Sequence, residues 1–342
     1  MNRPIRTLLT LTLLSVGLLR AEAAAPDSTA TYRPDVHATI RAKYEYQPQI
    51  GKGRFEIRNA RVSIEGRMLP VIGYKAEVDL SDEGAIKMLD AYVRLQPKER
   101  LKFTVGQMRV PFTIDAHRSP HRQYFANRSF IAKQVGNVRD VGAAVSYLFG
   151  EESPLTLEAG IFNGSGLTGQ KHFWTSDYNY SFKAQANFAG RFTACVSFQR
   201  ADAGDTKASL FDIGGYYESR RWHIEGEYLR KSYRHAEFPA VNALDAFVAY
   251  RLPLKKRVSG LSFLGRYDFM SDHSSGIRDQ NGLLSADEER RHRLTGGVTL
   301  SLGTPRLQAD IRINYEQYFY RPDAHPVISE RNKVVVEFVC HF

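Results

Sequence analysis

The chain has 342 residues, with 47 Lys and Arg against 37 Asp and Glu, a formal charge of +10, and two cysteines. Two thiols exclude the multiply stapled framework of a small exported disulfide domain. Basic residues interleave with acidic ones on almost every segment, which excludes the one-sided basic stripe of a nucleic-acid-binding domain. No motif for a nucleotide, flavin or haem occurs, so no cofactor is expected.

Met1–Ala23 carries Arg3 and Arg6, a twelve-residue apolar run over Leu8–Leu19, then Ala21, Glu22 and Ala23. That order predicts a secretory signal peptide cut after Ala23. A retained anchor helix is disfavoured, because the run is too short to span a bilayer and ends at Arg20. Cleavage removes three arginines and one glutamate, so the charge falls from +10 to +8. Residues 24–34 then form a short extension.

Asp35 to Phe342 reads as strand after strand with period two. Candidate strands lie at 35–46, 55–66, 71–80, 86–96, 101–110, 138–149, 155–164, 179–188, 191–200, 208–218, 221–231, 241–252, 260–270, 291–302, 305–316 and 330–342. They number sixteen, and most have about ten residues, the length of a tilted strand crossing a bilayer. Connections after even strands are brief, as at 67–70, 97–100 and 189–190. Most after odd strands are longer, as at 111–137, 165–178, 271–290 and 317–329. A soluble sandwich has no reason to sort its loops by parity, whereas an outer-membrane barrel has short periplasmic turns and longer outer loops.

The facings agree. Ile72, Tyr74, Ala76, Val78 and Leu80 alternate with Lys75, Glu77 and Asp79, and Leu307, Ala309, Ile311 and Ile313 alternate with Gln308, Asp310 and Arg312. A charge on a lipid face costs about 2–4 kcal/mol near the midplane, so clean apolar faces on sixteen strands predict apolar-out and polar-in. The expected fold is all-β: a 16-stranded antiparallel transmembrane barrel over 35–342, both termini at the periplasmic side, in the outer membrane of a Gram-negative bacterium. Aromatic residues near strand ends suit interfacial girdles, and the last strand closes on Phe342. Cys195 and Cys340 have opposite facings and are expected to stay unpaired.

A sixteen-stranded barrel is too wide to fill with its own side chains and leaves an aqueous channel. The third odd connection, 111–137, is long and aperiodic. It carries Arg118, Arg122, Arg128 and Lys133 against Asp115, a formal +3. These four residues are expected to fold inward and make the narrowest zone electropositive, with Arg61, Lys75, Arg94 and Lys102 as wall candidates. The alternative is an outward basic loop touching lipopolysaccharide phosphates. The wall also holds acids, and cross-strand pairing is the plainer reading of any single wall charge. His117 and His121 have helical metal-ligand spacing, but Pro120 and the missing helical period speak against a metal site.

Seven segments carry a family resemblance: Arg58–Gly66, Tyr74–Leu80, Leu89–Tyr92, Val105–Phe112, Asn127–Ile131, Asn137–Gly142 and Gly160–Gly164. In order and spacing they resemble the phosphate-selective porin O and P family, most densely over 53–166. The resemblance implies a trimeric outer-membrane channel whose constriction attracts phosphate-like anions through arginines and lysines. The expected function is passive diffusion of small hydrophilic solutes, anions preferred, without enzymatic activity. Two other classes are weighed against it. A lipase-like barrel enzyme would need Ser119 with His117 or His121, but no nucleophile elbow surrounds them. A receptor or adhesin would want larger outer loops or a plug.

Overall fold

The computed structural model describes residues 33–82, 85–134, 139–254, 258–304 and 307–342. The expected signal peptide and nearly all of the extension at 24–34 lie outside them. In chain order the strands are β1 (Asp35–Gln47), β2 (Lys52–Leu69), β3 (Ile72–Asp82), β4 (Ala85–Lys98), β5 (Leu101–Arg109), β6 (Arg139–Phe149), β7 (Leu155–Phe162) and β8 (Asn179–Phe188). They continue as β9 (Phe192–Ala203), β10 (Thr206–Glu218), β11 (Trp222–Tyr233), β12 (Val241–Pro253), β13 (Val258–Met270), β14 (Arg291–Gly303), β15 (Gln308–Tyr320) and β16 (Lys333–His341). Each pairs antiparallel with its sequence neighbours, and β1 pairs with β16 to close the barrel. Closure leaves no free sheet edge.

The barrel turns the usual burial rule inside out, as the strand pattern predicts. Arg41 and Arg312 are 1% exposed and Glu337 is 0%, whereas Phe55 is 86%, Val105 61% and Phe338 53% exposed. Ion pairs face the interior and the apolar band faces outward, the arrangement that a hydrocarbon surround favours and water does not. Cys195 is buried and Cys340 exposed, both free thiols.

Several strands outrun the sequence expectation. β2 covers Lys52–Leu69, so the first connection shrinks to residues 48–51. The ladder holds beyond the apolar band because backbone pairing needs no lipid. The β1–β2 register shifts between Arg41 and Ala42, which face Asn59 and Ile57, so Arg58 is the extra residue of a bulge. A bulge re-aims the side chain it carries, and Arg58 reaches the interior to donate to Asn127 Oδ1 at 2.5 Å. The long connections gather at one end and the short ones at the other. Both ends of the barrel-forming chain lie at the short-turn end, where the Ala38 N–H donates to the Phe342 carbonyl at 2.9 Å.

Candidate functional site

The connection after β5 holds short 3-10 turns at Asp115–His117 and Pro120–Arg122 and a one-turn helix α1 (Phe130–Gln134). Its residues are bonded by inward-facing side chains around much of the wall, so the loop lies inside the barrel. Lys183 of β8 donates to the Thr113 carbonyl at 2.6 Å, and the Thr113 N–H donates to Ser197 Oγ of β9 at 3.0 Å. The Ile114 N–H donates to Glu227 of β11. From β1, Arg41 donates to Gln123 Oε1 at 2.6 Å and to the Ala126 carbonyl at 2.8 Å. Arg266, Arg293 and Arg312 donate to the carbonyls of Asn127, Arg128 and His121 at 3.0, 2.7 and 3.0 Å. Thr113 has φ 58°, a left-handed conformation costly for a β-branched residue, and its bonds on both sides hold it there.

The loop crosses from β5 to the far wall, and three chambers are lined jointly by its residues and by the barrel wall. A mouth chamber of about 420 Å³ toward the long connections is lined by Arg41, Lys43, Arg54, Arg58, Arg61, Arg128, Lys133, Arg293 and Lys333, with Glu45, Glu56 and Glu330. A side chamber of about 350 Å³ against β3–β7 is lined by Lys75, Arg94, Lys102 and Arg109, with Asp90 and Glu158. A tail chamber of about 850 Å³ toward the short turns holds seven basic side chains, including Arg118 and Arg122, against Glu218 and Asp310.

The eight residues singled out in the sequence therefore spread over three chambers and do not converge on one ring. Their charges are also unequally free. Arg118 pairs with Asp115 at 3.1 Å and Glu225 at 2.5 Å. Burial works against its charge, but Glu225 and Asp115 outweigh burial and hold the guanidinium above its ordinary value. Arg128 caps the carbonyls of Asp115, Ala116 and Arg118. Burial, only partly offset by Asp115, lowers it to about 10. Lys133 pairs with Glu330. Arg61 pairs with Asp79 at 2.8 Å, and Lys75 with Glu77 at 3.3 Å. Arg94, among the described residues, bonds only neutral oxygens, Tyr92 Oη at 3.0 Å and Thr104 Oγ1 at 3.4 Å. Among the described residues Lys102 and Arg122 have no ion-pair partner.

Strict alternation misses Arg58, because the bulge breaks the parity on which such a reading rests. Arg109, bonded to the His117 carbonyl at 2.5 Å, was likewise invisible to a count of loop charges. His117 and His121 do not share a ligand site: His117 Nε2 meets the Val110 carbonyl at 2.5 Å, and His121 stacks on His341 with ring centroids 3.6 Å apart.

The closed sixteen-stranded antiparallel barrel, polar inside and apolar outside, defines the class as a porin-type barrel. Residues 35–197 match the model of the phosphate-selective porin O and P family, which bears out the resemblance carried by the sequence segments. Solved structures of the same fold include an anion-selective porin from Comamonas acidovorans, with TM-score 0.64 and 9% identity over 91% of this chain and 99% of that one. The outer membrane channel DcaP of Acinetobacter baumannii gives 0.57 and 14% over 92% and 99%. The trimer form of OmpT from Vibrio cholerae gives 0.57 and 11% over 91% and 98%. No curated protein matches the sequence.

Proposed function

We propose that the protein is an outer-membrane porin, assembled as a homotrimer, that passes small hydrophilic solutes by diffusion and prefers anions. The observation that carries this reading is the surplus of guanidinium and ammonium groups over carboxylates in all three chambers. Arg58, Arg94, Lys102, Arg109, Arg122, Arg128, Arg220, Arg221 and Arg251 contribute to it, none of them having an ion-pair partner among the described residues, whereas Arg61, Lys75, Arg118 and Lys133 are paired with acids. Low-dielectric walls focus such a field, and salt screens it over about 8 Å at physiological ionic strength, so it acts where the loop narrows the passage. The similar fold of an anion-selective porin supports the reading, and a trimeric structure of the same fold supports the assembly. Phosphate is one candidate solute on the strength of the family match.

The geometry favours a channel over an ester hydrolase. Among the described residues Ser119 makes no hydrogen bond to His117 or His121, and His117 is engaged by a backbone carbonyl. The test is the reversal potential of the purified protein in a potassium chloride gradient, with ester turnover assayed in parallel. Chloride preference without turnover is expected. Cation preference in dilute salt would overturn the anion reading, and ester turnover without conductance would overturn the porin.

A further inference from the structure

The tail chamber differs from the other two in what faces the charge. Its basic rim includes Arg122, Arg220, Arg221 and Arg251, none of which has an ion-pair partner among the described residues. The same chamber is lined by Tyr124 and Tyr216, with Ala249 and Leu264 beside them. These rings belong to a packed aromatic shelf. Tyr124 stacks on His223 at 4.5 Å and 27° and lies 5.0 Å from Phe247, and Tyr216 stacks on the same His223 at 5.3 Å and 26°. Phe247 and His223 are buried, and His223, stacked on both tyrosines, lines the chamber with them. The Arg118 guanidinium lies 5.2 Å from the Tyr124 ring centre, which fixes the ring in place.

An ion of compact tetrahedral shape gains nothing from such a shelf, since it offers no flat face to a tyrosine. A planar conjugated anion gains twice: its ring packs against the parts of Tyr124 and Tyr216 that the half-buried rings leave open to the chamber, and its carboxylate meets guanidinium donors. Guanidinium pairs with carboxylate in a planar fork, so both contacts can be made by one flat molecule. We propose that the tail chamber is a binding site for small aromatic carboxylates, which the channel carries in preference to aliphatic ones of equal charge. This rests on the porin reading for its transport part, but binding at the chamber stands separately from conduction.

The experiment uses the full chain and benzoate as probe, with acetate and inorganic phosphate as references. Saturation-transfer NMR on the detergent-solubilised protein reads binding without conduction, and block of chloride current across a planar bilayer reads it in the channel. Benzoate is expected to bind and to block at concentrations at least fivefold lower than either reference. Tyr124→Leu should remove that difference, whereas Arg251→Gln should weaken benzoate and acetate together. Resistance of the barrel to unfolding in detergent controls for folding of both variants. Benzoate binding no tighter than acetate, or phosphate binding tighter than both, overturns the proposal and leaves the porin reading intact. Benzoate binding in a protein that conducts no ions supports the site and overturns the channel.

Discussion

Arg122 faces the tail chamber with no ion-pair partner among the described residues, while Arg118, four positions earlier, gives its guanidinium to Asp115 and Glu225. The same residue type thus sets potential at one position and holds the loop at the other. Arg122→Gln is expected to move the reversal potential toward cations in dilute salt and to leave the unfolding temperature unchanged. Arg118→Gln leaves two acids without their cation, a change that costs about 3–5 kcal/mol for a buried pair. It should appear as a lower unfolding temperature and noisier single-channel current. If Arg118→Gln shifts selectivity with no loss of stability, the assignment of the two roles is reversed. The sequence shows four loop cations and their sum; it does not show that Glu225 lies opposite Arg118, because the two are 107 residues apart and no periodic pattern links them.

At the scale of elements, the inner loop and the strands obey different rules. Strand facing was legible because period two is a local property: Val105 points out and Thr104 points in by parity alone. Val105→Arg is expected to cost about 2–4 kcal/mol, whereas Thr104→Arg should fold and lower conductance through the side chamber, both readable from unfolding curves and bilayer currents. The path of the loop was not legible, since its anchors are single polar contacts from distant strands, such as Asn127 to Glu316 at 2.9 Å. Those anchors imply a pH dependence. His121 is held down to about 3, chiefly by burial and then by His341 and Arg122. The undocked imidazole titrates near its ordinary value of about 6.5, so the undocked loop binds more protons, and docking weakens as pH falls from about 6.5 toward 3. Asp115 adds a later loss. Burial raises its pKa, but Arg118 and Arg128 outweigh burial and keep it below the ordinary carboxylate value. Its contribution is present above about pH 4 and disappears as pH falls through the depressed folded value. Amide exchange of Gln123–Ala126, corrected for its intrinsic pH dependence, should lose protection between pH 7 and pH 5.

For the whole molecule, strand number, closure and the inside-out distribution of charge followed from the sequence, since all three are sums over many similar local patterns. The arrangement of the chambers beside the inner loop did not, because it depends on where one aperiodic segment of the chain comes to rest. Charge counting placed the surplus in that segment, whereas the barrel spreads uncompensated cations over wall and loop alike, with Arg58 and Arg94 on strands and Arg122 on the loop. Anion preference should therefore survive removal of any one cation and fall stepwise as Arg94, Lys102 and Arg122 are replaced by Gln together. Reversal potentials of the single and triple variants measure this directly. A single substitution that abolishes selectivity would point to one local filter in place of a distributed field.

The seam between β1 and β16 bears on how such a chain reaches its final form. Thr39 meets His341, its partner 302 positions away, and closing so long a loop costs about 5 kcal/mol of chain entropy on a logarithmic scale. That cost is modest, but it falls due before any seam contact returns it, so topology of this kind folds slowly. Every intermediate with fewer than sixteen strands carries two open edges, each able to accept a strand from another molecule. Refolding yield is accordingly expected to fall with protein concentration. Chains truncated before Lys333 should accumulate as soluble oligomers and precipitate, and adding the missing β16 as a separate peptide should recover closed monomers.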